Sequence, residues 1–267
     1  MKKYIKWGFL VFALSGAAFI AFNLYLDAKK KDCQGGSGAQ AIEACTFLIG
    51  KHTSGFKGPY LLRRAQLLEK EGKWDEVLAD LNELLSINIA APLPPAQLLA
   101  AYESLIKVQS RKGASAETRK YLELAVQNGS RAPEIYISLA ETYIAEKKFQ
   151  EALNLLETSG AFEGAKNHPY YNAQASAYEG LNDFSRAYDS LKTGLTVRAT
   201  RPVLAATSKH LGLVCFELKR YKEAETYLGY TIKAGLECPE CALLLTTIRG
   251  ALEEDESPSR PAKNKRR

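Results

Sequence analysis

The sequence predicts an all-α chain: a solenoid of stacked helical hairpins behind an N-terminal transmembrane helix. Three observations predict it. An apolar run of membrane length lies near the start, a set of small, aromatic and leucine positions recurs at intervals of 34–41 residues, and no stretch shows the sustained alternation of a strand. The 267 residues suffice for a real core, and 46% hydrophobic with 25% charged residues excludes both wholesale disorder and a polytopic membrane protein. Five cysteines are too few for a disulfide-built miniprotein.

The chain opens MKKYIK and continues into Trp7–Leu26, 20 residues whose one strongly polar side chain is Asn23. As a helix this run spans about 30 Å, the hydrocarbon thickness of a bilayer. Trp7 and Tyr25 stand near its ends, where amphipathic rings favour the interface, and lysines flank both sides: Lys2, Lys3 and Lys6 before it, Lys29, Lys30 and Lys31 after it. Gly16, Ala17 and Ala18 offer the small residues of a signal-peptide cleavage site, but the apolar run continues eight residues past Ala18, so an uncleaved anchor over residues 1–32 is the preferred reading. Three lysines on each side leave its orientation undetermined. Of the net charge of +6, residues 1–32 carry +4, and residues 33–252 are near neutral, so no nucleic-acid partner is expected.

Residues 33–40, CQGGSGAQ, read as a Gly-rich connection that lets the array swing from its anchor. AIEACTFLI then reads as a lone second helix opening a solenoid over 41–252.

Within that span four segments align on the small residues Ala65, Ala140, Ala175 and Gly212. Three residues on lie Leu68, Tyr143, Tyr178 and Cys215; nine on, the aromatics Trp74, Phe149, Phe184 and Tyr221; twelve on, Val77, Ala152, Ala187 and Ala224; sixteen on, Leu81, Leu156, Leu191 and Leu228. A degenerate fifth copy fits at Ile106, Thr118 and Leu122. The small residue lets two helices approach, the aromatic opens the second helix, and each hairpin leaves an apolar face for its neighbour. Pro59, Pro95, Pro133, Pro169 and Pro202 each fall near the start of a first helix, where the missing N–H costs nothing.

This pattern resembles the tetratricopeptide repeat (TPR), over roughly residues 59–236. The resemblance implies a right-handed solenoid whose inner groove binds protein or peptide partners. On α-helical spacing the groove positions are Leu62, Gln66 and Glu69 in one repeat and Ile137, Glu141 and Ile144 in another. Asn172, Ser176 and Glu179 follow, then Lys209, Leu213 and Phe216. Some members clamp a C-terminal carboxylate with lysine and asparagine; here Leu62 and Ile137 stand in the lysine position, and Gln66, Glu141 and Leu213 in the asparagine position, which speaks against that clamp. The cysteine after the anchor and the second in AIEAC are similar to the front of bacterial envelope proteins of this repeat type. That likeness implies a Cys33–Cys45 disulfide in an oxidising compartment; the alternative is a buried Cys45 and a linker thiol.

CPECALLLTTIRGALEE reads as a capping helix, with residues 253–267 a disordered charged tail. Cys238 and Cys241 form a CxxC at that helix start, a pattern that serves thiol redox or metal chemistry in other settings. No strand precedes it and two thiols are half of a zinc site, so local packing or pairing is the preferred reading. His52, His168 and His210 lie far apart, and no catalytic motif is present. The expectation is therefore a non-enzymatic scaffold without cofactor or metal, anchored in a bacterial inner membrane through residues 7–26 with its array in the periplasm. The alternatives are a thiol protein acting through Cys238 and Cys241, and a cytoplasm-facing assembly adaptor.

Overall fold

A computed structural model describes the backbone of residues 2–256, except 53, 91 and 114, and the side chains of residues 19–253, except those three and 54–55, 89–90 and 115. Every regular element among the described residues is an α-helix. The chain divides into two compact units, Met1–Ser130 and Arg131–Arg267.

The first unit holds α1 (Lys2–Gly35), α2 (Gly38–Lys51), α3 (Ser54–Lys70), α4 (Trp74–Ala90), α5 (Pro95–Lys112) and α6 (Ser115–Gln127). The second holds α7 (Pro133–Ala145), α8 (Phe149–Ser159), α9 (His168–Gly180), α10 (Phe184–Gly194), α11 (Arg201–Glu217), α12 (Tyr221–Lys233) and α13 (Pro239–Glu256). Consecutive helices pair as hairpins: α1 with α2, α3 with α4, α5 with α6, and then α7 with α8, α9 with α10, α11 with α12; α13 packs on α12.

The recurring positions explain these hairpins. Ala65, Ala140 and Ala175 are fully buried, and so are Val77, Ala152, Ala187 and Ala224, and the leucines 81, 156, 191 and 228. Each such leucine contributes about 1.5–3 kcal/mol by leaving water. Gly212 shows why its position must be small: a Cβ there would lie 2.7 Å from the Leu228 side chain of the partner helix. In the degenerate copy Leu122 is buried, but Ile106 is only half-buried and Leu105 is the fully enclosed residue beside it.

The turns inside the hairpins repeat as faithfully. Gly72, Lys147, Asn182 and Lys219, each seven residues after the small position, all adopt positive φ, from 58° to 73°. The residue after each donates its N–H back to the carbonyl of Leu68, Tyr143, Tyr178 or Cys215, at 2.8–3.0 Å. This is the Schellman closure of a helix C-terminus, which satisfies carbonyls that the helix leaves unpaired. A lysine or asparagine in the left-handed region costs about 1 kcal/mol relative to glycine, so three of the four turns adopt it against local preference. Pro95, Pro133, Pro169 and Pro202 occupy the first turns of α5, α7, α9 and α11. Pro59 departs from that pattern: α3 begins at Ser54, which puts Pro59 inside the helix.

The Gly-rich segment 33–40 is not the swinging connection expected from its composition. α1 runs through Gly35 and α2 starts at Gly38, so only a short break separates them. Cys33 is fully buried with Ala41, Ala44, Cys45, Leu48 and Leu67, and Leu26, Phe47 and Tyr60 pack around that cluster. Arg63 of α3 donates from Nε to the Cys33 carbonyl (3.1 Å) and from a terminal nitrogen to the Gly36 carbonyl (2.9 Å), covering the exposed end of α1. The segment expected as a lone second helix is thus the second half of an α1–α2 hairpin.

The anchor expected over residues 7–26 falls in part, at 7–18, outside the described side chains. Among the described residues no helix is long and apolar enough to cross a membrane. From residue 19 onward, Phe19, Ile20, Phe22, Leu24 and Tyr25 are all exposed. At the other end the helix persists to Glu256, through the first four residues of the expected tail, and residues 257–267 lie outside the described ones.

Candidate functional site

In the second unit, first helices α9 and α11 and the start of α13 enclose a groove of about 850 Å³. Its apolar lining comes from Phe184, Leu213, Phe216, Leu243 and Leu244, and its charged lining from Glu179, Glu217 and Glu240. Leu213 and Phe216 lie one turn apart on α11, so both face the opening. Leu243 projects from α13 with 72% of its surface exposed. An apolar side chain so open to water offers a contact that no described residue fills.

A chain of hydrogen bonds braces the wall. His168, the first residue of α9, is turned inward; the cap is its neighbour Asn167, which accepts the Tyr170 N–H at 3.1 Å. His168 Nε2 lies 2.9 Å from the Val197 carbonyl, which can only accept, so Nε2 donates and Nδ1 is left to face the Thr207 hydroxyl at 3.1 Å. Asn172 donates to the same hydroxyl at 3.2 Å and turns its oxygen toward His210 Nδ1 at 3.4 Å. His210 Nε2 meets the Glu179 carboxylate. The carboxylate accepts from the imidazole N–H on that side. Lys209 on the next position pairs with Glu240 of α13. These contacts tie α9 to α11 and α11 to α13.

The positions expected on the groove separate into three groups. Glu179, Leu213 and Phe216 meet in this groove, and Lys209 and Asn172 join it through the contacts just described. Ser176 is half-buried, as is Gln66 on α3, while Glu141 is exposed on α7. Leu62 and Ile137 do not form an open wall, since they are 8% and 4% exposed. Ile137 packs with Ala173 and Ala177 because α9 crosses α7, and α3, which carries Leu62, is packed against α1, α2, α4 and α5. Glu69, one turn beyond Gln66, is engaged by Lys107 and Ser104 of α5. His210, Glu217, Glu240, Leu243 and Leu244 contribute to the site without a mark in the repeat pattern. They belong to α13 or to a helix edge, and the repeat spacing that marks the other positions does not reach α13.

The cysteines are all placed. Cys33 and Cys45 form a disulfide joining α1 to α2, with Cα atoms 4.9 Å apart. Cys238 and Cys241 form a local disulfide across the first turn of α13 (Cα–Cα 5.2 Å), buried against the core. Cys215 remains a thiol in that same core, and burial pushes its pKa up to about 12. Although it shares the cluster with Cys238 and Cys241, no three His, Cys, Asp or Glu side chains among the described residues are grouped to hold a metal ion.

Comparison with known proteins places this geometry. No family model matches the sequence. No curated protein matches it. Solved structures do. YrrB, described as a TPR protein with an unusual peptide-binding site, superposes with a TM-score of 0.62 at 16% identity, over 78% of this chain and all of its own. The chain has the tetratricopeptide-repeat fold. BtubC from P. vanneervenii is similar over 89% of this chain and 96% of its own, with TM-score 0.54 and 19% identity. MamA from Desulfovibrio magneticus RS-1 is similar over 68% and 97%, with TM-score 0.54 and 15% identity. At such identities the likeness is one of TPR architecture, and the groove of α9, α11 and α13 lies where first helices of successive TPR hairpins come together with a capping helix.

Proposed function

We propose that this protein is a membrane-anchored TPR scaffold in the bacterial envelope that binds a protein or peptide partner in the groove of α9, α11 and α13. The observation that carries this reading is the groove's chemistry: an apolar floor at Leu213 and Phe216, an uncovered Leu243 at the rim, and glutamates 179, 217 and 240 as its charged lining. Such a surface fits a segment presenting one large apolar side chain; Glu179 and Glu240 are already engaged by His210 and Lys209, so the apolar anchor carries the fit. The peptide-binding description of YrrB lends support to a binding role for the same architecture. No covalent step and no cofactor enter this mechanism; the groove works by desolvating an anchor side chain and holding it.

Anchoring is supported by the run Trp7–Leu26 and by the exposed apolar side chains Phe19, Ile20, Phe22 and Leu24. The periplasmic side is supported by the Cys33–Cys45 disulfide, which lies seven residues beyond the apolar run and persists only where the environment is oxidising.

The test is photocrosslinking in cells from position 213 or 216, with exposed Thr226 on α12 as the control position. The same adduct is expected from both groove positions, absent from 226, and lost when Leu243→Glu is added. An adduct equal at all three positions, or none at 213 and 216, overturns the assignment of the groove.

A further inference from the structure

The α1–α2 hairpin fixes which part of the first unit stands beside the end of the anchor. Lys29 pairs with Glu43 at 3.8 Å, and Tyr25 stacks edge-on with Phe47 at 5.4 Å. Lys51, the last residue of α2, lies over the Phe47 ring, so the last turn of α2 stands near Tyr25. Tyr25 is next to the last residue of the apolar run Trp7–Leu26. The end of α2 therefore stands beside the end of that run.

The residues that arrive there are unusual for a water-facing corner. Phe56, in the first turn of α3, is 70% exposed. It is not a loose side chain, because His52 stacks on Tyr60 at 5.2 Å and also contacts the Phe56 ring at 6.4 Å. Lys51 lies over the Phe47 ring at 5.6 Å and Lys29 over the Tyr25 ring at 5.7 Å. Lys31 and Lys51 are solvent-exposed, and Lys30 pairs with Asp27 at 3.1 Å, which leaves Lys31 and Lys51 as the exposed basic groups just above an aromatic layer. Aromatic rings at the level of the headgroups with lysines reaching past them are the composition of a membrane interface. The corner carries that composition on α1 and on the facing ends of α2 and α3, and the disulfide Cys33–Cys45 holds α1 against α2.

We propose that the α2–α3 junction is a second contact with the membrane, in which Phe56 enters the interfacial layer of an anionic bilayer beside the anchor. The proposal rests on the anchoring reading above. It adds that the first unit lies against the lipid surface through a fixed aromatic foot, with the rigid α1–α2 hairpin in place of a tether.

The full chain is reconstituted into vesicles of roughly three parts phosphatidylglycerol to seven of phosphatidylcholine, an anionic surface. A Trp7→Phe, Trp74→Phe, Phe56→Trp variant reports from the junction. Trp7→Phe alone leaves Trp74, just past the far end of α3, as the internal control. The expected result is that lipids labelled near the headgroup quench the Phe56→Trp reporter at least about twofold, leave Trp74 unquenched, and lose at least half of that effect when phosphatidylglycerol is omitted. Co-flotation with vesicles but no quenching of the Phe56→Trp reporter overturns the second contact and leaves the anchor standing. Failure of the wild-type chain to co-float overturns both. Equal quenching with and without phosphatidylglycerol overturns the anionic preference.

Discussion

Single residues carry the hairpin geometry. Gly180 closes α9 against the aromatic that opens α8: a Cβ at that position would overlap the Phe149 ring. A ring on a helix cannot yield as a flexible chain end does, so Gly180→Ala is expected to destabilise the second unit by about 1–3 kcal/mol, measured as a lowered urea midpoint. The opposite effect is available at Lys219, which holds φ 58° at a helix C-terminus. Lys219→Gly removes the Cβ from a left-handed residue and is expected to raise stability by roughly 0.5–1 kcal/mol, because the strain relieved in the fold exceeds the entropy added to the unfolded chain. A loss at Lys219→Gly would mean that its side chain makes a contact worth more than the strain. Neither residue stands out in the sequence, since a lysine is a poor marker of a left-handed turn and a glycine in a helix marks no particular neighbour.

At the scale of elements, α3 and α4 are joined by more than apolar packing. Arg64 of α3 reaches Asp80 of α4 with two parallel bonds of 2.8 and 2.5 Å, and the Asp80 side chain is almost wholly buried. Two forked bonds to one carboxylate fix the angle between the helices as well as their distance. Asp80→Ala leaves a guanidinium half-enclosed without its partner, and the expected cost is about 3 kcal/mol, at the low end for a broken buried pair because Arg64 keeps some contact with water. A double-mutant cycle with Arg64→Met checks it: recovery of most of the loss in the double variant identifies the stranded charge as its cause. The same logic separates the legible from the illegible in the candidate site. Leu213 and Phe216 were readable because they sit at fixed offsets from Gly212, whereas the α13 wall follows no repeat and enters the groove only because the chain doubles back on α12. Leu62 and Ile137 carried the same helical offsets as the groove positions, and neighbouring helices closed over them.

For the whole molecule, the state of the cysteines joins fold to compartment. Two disulfides leave one thiol of five, and that thiol is buried with its pKa pushed up to about 12. At neutral pH the Cys215 thiol is therefore both protonated and enclosed. Protein purified from cells under non-reducing conditions is expected to show no reactive thiol when folded, one after denaturation, and five after denaturation with reduction. Five thiols in the unreduced, denatured protein would place the array on the reducing side of the membrane. Co-purification with the membrane fraction, resistant to high salt, is expected alongside, since an apolar run holds to lipid without relying on surface charge.

By itself the sequence determined the hairpins. Small, aromatic and leucine positions repeating along the chain state which helix faces must be buried, and burial of apolar surface is local enough to be read from spacing. The apolar run Trp7–Leu26 is likewise visible in composition alone. Tertiary structure decided what spacing does not encode: that a Gly-rich stretch becomes a short break between two helices clamped by Arg63 and a disulfide, that two expected groove positions are closed, and that Phe47 and Lys51 stand beside Tyr25 at the end of the apolar run. Those outcomes depend on which side chains meet after the chain has turned back on itself, and contacts between distant residues leave no period in the sequence.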